Sequence, residues 1–186
     1  MLTILGISGS LRRGSHNTSL LRAAAKLLPP GVEIELYDRL ADIPPYDPDH
    51  DGEAPPAAVV QLRRAIAAAD GVLIATPEYN GSVPGVLKNA LDWASRPFPD
   101  NALRGKPVAV LGASTGLFGA VWAQAELRKV LGIIGADTLE HELAVGGADA
   151  AFAGSDELLD ADQRAALREL VHVLAARSGA ADQRAA

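Results

Sequence analysis

The chain has 186 residues, 48% of them apolar and 22% charged, which is the composition of one globular domain rather than a disordered or fibrous chain. Its formal charge of −6, with only scattered basic pairs such as Arg12-Arg13 and Arg63-Arg64, argues against a nucleic-acid partner. With no cysteine it cannot form disulfides, thiol nucleophiles or cysteine-held metal centres, so redox chemistry requires a bound cofactor.

Short apolar runs at Thr3 to Ile7, Val32 to Tyr37, Gly71 to Ala75 and Pro107 to Leu111, with a weaker one at 135–139, read as buried strands. Between and after them, residues 17–28, 57–69, 84–94, 118–131 and 156–177 place apolar residues near a 3.6-residue period and read as helices. No apolar run approaches the roughly 18 residues of a membrane span, so a membrane partner is not expected and a cytoplasmic location is the default. Residues 1–178 form the expected single domain, and 179–186 are expected to fray.

Strands alternating with helices five times predict an α/β, three-layer, flavodoxin-like fold around a five-stranded parallel sheet of order 2-1-3-4-5. In that order the direction of winding reverses between strands 1 and 3, and ligands bind above their carboxyl ends. The loops at Ser8 to Asn17 and Pro77 to Val83 therefore become neighbours. Residues 40–56, with five prolines and no periodicity, read as a long rigid loop.

The first loop, GSLRRGSHNTSLL, supplies Ser10, Arg12, Ser15, Asn17 and Thr18 at the start of a helix. Helix N-terminal amides and an arginine suit a phosphate. Ordinary capping by Ser15 or Asn17 is the competing reading, although it leaves Arg12 without a role. Gly9 to Ser15 lacks the lysine of a triphosphate loop and GxGxxG is absent, so a mononucleotide fits better than a triphosphate or a dinucleotide.

The second loop, in TPEYNGSVPGVLKNALDW (76–93), is stiffened by Pro77 and Pro84 and turned by Asn80-Gly81. Without a side chain, Gly81 would let a flat ligand approach the backbone, but a purely structural turn accounts for the same residues. A third loop, GASTGLFGAVW, follows strand 4 and can close the same crevice.

Together, GSLRRGSHN, TPEYNGSVPGVLKNALDW and STG closely resemble the NADPH-dependent FMN reductase family of flavodoxin-like quinone, azo-dye and chromate reductases, over about residues 2–145. The resemblance implies that Ser10, Arg12, Ser15 and Asn17, with Thr18, hold the FMN phosphate. It sets Pro77, Glu78, Tyr79, Asn80 and Gly81 along the ribityl chain and ring edge, joined by Ser114 and Gly116. It further implies NADPH or NADH as transient hydride donor, a small-molecule acceptor, a ping-pong cycle and a homodimer or homotetramer. No catalytic side chain or metal is implied, because the reacting atom is the flavin N5.

Other readings compete. A flavodoxin-like single-electron carrier would share the fold and the cofactor. GASTG satisfies G-x-S-x-G, making Ser114 a candidate hydrolase nucleophile with His141 or His172 as base, but too little chain follows it to supply the remaining triad. DPDHDGE opens like a calcium loop, yet its twelfth position is Ala58, and a solvated turn is the simpler reading.

Overall fold

Strands β1 (Leu2–Ser8), β2 (Val32–Tyr37), β3 (Gly71–Thr76) and β4 (Pro107–Ala113) alternate with helices α1 (His16–Ala25), α2 (Ala57–Ala68) and α3 (Gly85–Ala94). Helix α4 (Val121–Ile134), the two-residue strands β5 (Asp137–Thr138) and β6 (Ala144–Val145) and helix α5 (Ala148–Ala151) come next. A small hairpin of β7 (Phe152–Ala153) and β8 (Glu157–Leu158) then leads into α6 (Ala161–Ala185). This computed structural model describes residues 1–52, 54–153 and 156–185, the last four as backbone only.

The sheet is parallel in the expected order, β2-β1-β3-β4-β5. Along β3 and β4 every residue is buried, which is why these strands read as unbroken apolar runs. Successive side chains serve opposite cores. Leu5, Ile7, Val72, Ile74, Val108 and Val110 face α2, α3 and α4, whereas Ile4, Leu73, Ala75, Ala109 and Leu111 face α1 and α6. Among the described residues no helix is long and apolar enough to cross a membrane.

The fifth strand position corrects the sequence expectation, because two short pieces, β5 and β6, share the outer edge of β4. Leu139 N–H donates to the Val108 carbonyl (2.8 Å), and Gly112 N–H donates to the Leu143 carbonyl (3.0 Å). Between these anchors, exposed Glu140, His141 and Glu142 leave the sheet, and Arg128 holds the excursion through the Glu142 carboxylate (2.7 Å) and the His141 carbonyl (3.2 Å). Helix boundaries also move. α4 starts at Val121 rather than 118, because Gly119 and Ala120 are left-handed at φ +59° and +66°, and the last helix starts at Ala161 rather than 156, after β8.

The proline-rich stretch contains two 3₁₀ turns, Leu40–Asp42 and Pro48–His50, the second capped by Asp47. It is pinned to α3 by the fully buried Trp93, whose indole N–H donates to the Pro44 carbonyl (2.8 Å) and whose ring meets Tyr46 edge-on at 4.9 Å. Arg63 donates to the Trp93 carbonyl from Nε (3.0 Å) and Nη2 (2.9 Å), and the same Nη2 holds the Asp51 carboxylate (2.6 Å). The Asp51 carboxylate is thus engaged by Arg63, and Asp47 caps a turn. Trp93→Ala removes the anchor and leaves a cavity, so unfolding free energy in urea should fall by about 3–5 kcal/mol. A loss below about 1 kcal/mol would show that the pin carries no weight.

Candidate functional site

Above the carboxyl ends of β1 and β3, where Gly9 N–H donates to the Ala75 carbonyl (2.8 Å), a crevice of about 240 Å³ opens. Ser10, Arg12, Ser15, His16 and Asn17 of the first loop line one side. Pro77, Glu78 and Tyr79 of the second loop and Ser114 of the third line the other. Three segments far apart in sequence thus meet at the point where the strand order reverses.

Ser15 caps α1, its hydroxyl accepting from the Thr18 N–H (3.2 Å), which leaves the other N–H groups of the first turn without intrahelical partners. Arg12 is exposed beside them. Helix amides, two serine hydroxyls and a guanidinium on one rim form the donor set that a phosphate monoester requires.

Asn17 has a different local task. Only 3% exposed, its side-chain amide donates to the Ala113 carbonyl (2.9 Å) and accepts from the Ala113 N–H (3.0 Å), bolting the start of α1 to the end of β4. Thr18 turns away from the crevice into a hollow between α1 and β2, its hydroxyl donating to Ser8 Oγ (3.0 Å).

In the second loop Tyr79 and Ser82 exchange both main-chain hydrogen bonds at 3.2 Å around Asn80 (φ +53°) and Gly81 (φ +76°). Both central residues are left-handed, as in a type I′ turn, which explains Asn-Gly here. Asn80 and Gly81 stand exposed beyond the crevice wall.

Two carboxylates clasp this loop to α4. Glu78 accepts from the N–H groups of Trp122 and Ala123, each at 3.1 Å, and so caps a helix whose own preceding residue, Ala120, has no side-chain acceptor. In return Glu126, one turn into α4, accepts from the Ser82 hydroxyl (2.7 Å) and the Val83 N–H (3.2 Å). The Ser82 hydrogen bond, then that of Val83, holds the Glu126 carboxyl below its ordinary value of 4.5.

The third loop leans on residues 143–148, a segment without an expected role. Ser114 N–H donates to the Val145 carbonyl, Ala148 N–H to the Ser114 carbonyl and Gly147 N–H to the Gly116 carbonyl, all at 3.0 Å. Gly146 lies so close that an added Cβ would fall 2.2 Å from the Leu117 carbonyl oxygen, so only glycine fits. Gly116 thereby supports the loop outside the crevice lining, and the Gly146-Gly147 pair was the sequence signal for this close approach. Glu126 carried no such signal.

The two histidines that the hydrolase alternative named are engaged elsewhere. The Ser114 hydroxyl lies 3.5 Å from the Gly116 carbonyl, while His141 sits 3.7 Å from Glu169 and His172 bonds the Leu27 carbonyl.

Comparison with known proteins places this geometry. Residues 2–150 match the family model described as NADPH-dependent FMN reductase. The chain is 46% identical over 174 residues to an NAD(P)H-dependent FMN reductase of Pseudomonas aeruginosa, covering 93% of both chains. It is also 44% identical over 147 residues to a quinone reductase of Escherichia coli, covering 78% of each. Among solved structures, the flavoenzyme NAD(P)H:(acceptor) oxidoreductase from Paracoccus denitrificans superposes with a TM-score of 0.86 at 35% identity, over 96% of this chain and 98% of that one.

The clasp has a pH signature. Because the folded state lowers the Glu126 pKa, its stabilising contribution is full above 4.5 and fades as pH falls through the folded value. Glu126→Gln should therefore melt below the parent at neutral pH, with the gap narrowing in acid. Thermal melts of both proteins across that range check this, and a gap independent of pH would contradict it.

Proposed function

The chain belongs to the NADPH-dependent FMN reductase family and is an FMN-dependent NAD(P)H oxidoreductase of the quinone-reductase kind; on that premise we propose how its residues hold the cofactor and in what order electrons move. The observation that carries the proposal is the crevice itself, with a phosphate-type donor set on one wall and a stiff, glycine-containing turn opposite.

In this reading Ser10, Arg12 and Ser15, with the free N–H groups at the start of α1, seat the FMN phosphate. Asn17 contributes its main-chain N–H and, through Ala113, fixes the seat relative to the third loop. Thr18 steadies the seat from behind through Ser8. Pro77, Glu78, Tyr79, Asn80 and Gly81 run along the ribityl chain and ring edge through their backbone, since the Glu78 carboxylate is committed to α4. Ser114 and Gly116 close the far side.

When bound, FMN supplies the electron chemistry, accepting hydride from NADH or NADPH and passing two electrons to a small acceptor. The chain's share would be positional: the crevice walls would exclude water from the ring, and main-chain N–H groups of the second and third loops would stabilise negative charge at its edge. Donor and acceptor would use the same crevice in turn, a ping-pong order. Quinones are the proposed acceptor class, in line with the quinone reductases among the relatives. The protein acts as a single-domain homo-oligomer in the cytoplasm, where the reduced nicotinamide pool lies.

Adding NADPH to the FMN-loaded protein without any protein partner should bleach the flavin absorbance, and a quinone should restore it, with parallel lines in double-reciprocal rate plots. A flavin that stays oxidised would instead identify an electron carrier.

Arg12→Ala should weaken FMN by about tenfold to a hundredfold, the range for a hydrogen bond to a charged group, while riboflavin binding changes little. Equal losses for both ligands in calorimetric titrations would remove Arg12 from the phosphate.

A further inference from the structure

The hollow that Thr18 faces, between α1 and β2, has no part in holding FMN. It measures about 290 Å³ and lies beside the carboxyl ends of β1 and β2. Gly6, in the middle of β1, lines it. The Ile34 and Leu36 methyl groups lean over Gly6, each 2.9 Å from where a Cβ would stand, so any side chain there would press Leu36 outward into the hollow. A glycine inside a strand often marks a place where a ligand comes close to the backbone.

Three kinds of surface meet in this hollow. Leu11, Leu21, Leu36 and Leu40 make it apolar, although Leu11 and Leu36 are 52% and 40% exposed to solvent. Arg12 and Arg22 bring positive charge, Arg22 standing one helical turn beyond Thr18 on the same face of α1. Asp38, just past the end of β2, is exposed and makes no hydrogen bond or ion pair among the described residues.

The hollow and the flavin crevice share a wall. Ser10 and Arg12 line both, so a phosphate seated on them has the crevice on one side and the hollow on the other. A ligand that fills both spaces carries a flavin, a phosphate at the shared wall, and a further group joined to that phosphate. For this group the hollow offers Arg22 to a second phosphate, Asp38 to a sugar diol and the leucines to a flat ring. Adenylate combines those three features.

We propose that the hollow is an adenylate site and that the chain takes FAD as well as FMN, the AMP half of FAD lying between α1 and β2. Asp38 stands about 20 residues beyond the first loop, the spacing at which an acidic residue binds ribose hydroxyls in dinucleotide-binding α/β folds. The phosphates are held differently here, by serine hydroxyls and arginines in place of a glycine-rich turn. The volume suits a single nucleotide half, near the lower end of ligand cavities at about 300 Å³.

A reduced nicotinamide also carries an adenylate, but it arrives detached from the flavin. The shared wall favours FAD, because an adenylate tethered to an already seated phosphate meets the hollow at a high effective concentration. This inference rests on the phosphate seat proposed above, and comparing two flavins lets the two readings fail separately.

Calorimetric titration of the flavin-free protein should show FMN and FAD both binding, FAD at least as tightly. Asp38→Ala and Arg22→Ala should each weaken FAD by about fivefold or more while FMN changes by less than about twofold, since each removes a contact to the adenylate alone. Leu36→Trp fills the hollow and should cost FAD about tenfold or more, again sparing FMN. All three side chains are exposed, so circular dichroism should match the parent. FAD binding more than about tenfold weaker than FMN, or equal losses of FMN and FAD in these variants, would overturn the proposal. Unchanged FAD affinity with a raised KM for NADPH would overturn it too, assigning the hollow to the nicotinamide donor. If neither flavin binds, the phosphate seat falls and this site falls with it.

Discussion

The crevice depends on one buried amide. Asn17 exchanges two hydrogen bonds with the Ala113 main chain, and so joins the start of α1 to the end of β4 across the intervening β3. Few side chains besides Asn and Gln carry a donor and an acceptor side by side in the geometry a peptide unit requires. In a site only 3% exposed, losing either bond would strand a backbone group without water, at a cost of about 1–3 kcal/mol. Once that bolt is set, the helix N-terminus and the third loop cannot drift apart, and the phosphate-type seat stands at a fixed distance from the wall that faces it.

The same logic extends to the second loop, where carboxylates replace the amide. Glu78 and Glu126 each accept two hydrogen bonds across the joint between the loop and α4, one capping the helix and the other securing the turn. Acidic groups near a helix N-terminus also interact favourably with its dipole. The polar side chains around the crevice therefore divide by task. Asn17, Glu78 and Glu126 satisfy the protein, while Ser10 and Arg12 line the crevice at the start of α1. Such a site needs no nucleophile or base of its own, because the rigid frame fixes a reactive cofactor in place.

Most of this frame was legible in the sequence where one physical demand outweighed the others. β1 to β4 stand out because burial on both faces forces unbroken apolar runs, and the two ligand loops stand out because glycine, proline and arginine cluster there for lack of any packing reason. β5 and β6 were not legible as separate pieces, since two residues each give no periodicity and the charged excursion from Glu140 to Glu142 between them looks like any loop. The start of α4 was misplaced because Ala120 adopts a left-handed φ that alanine does not advertise. Several of the residues expected at the site meet around one crevice, but the hydrogen bonds they make inside the protein were not legible. An asparagine that bonds a phosphate and one that bonds a peptide 96 positions away are the same letter, and only the fold tells them apart.

Helix α4 shows why such a division of labour constrains the whole molecule. Its inner face fills the core with Leu127 and Leu131, its first turn is capped from the second loop by Glu78, and Glu126 returns the contact. Its outer face mixes charge and apolar surface: Trp122 and Ile133 are exposed at either end, with Glu126 and Lys129 between them. A large exposed aromatic on a helix that already bears two site contacts adds hydrophobic surface without stabilising the lone subunit. The wall that Pro77, Glu78 and Tyr79 form beside the crevice is thus held through a single element, which Glu78 and Glu126 grip from both sides of the joint.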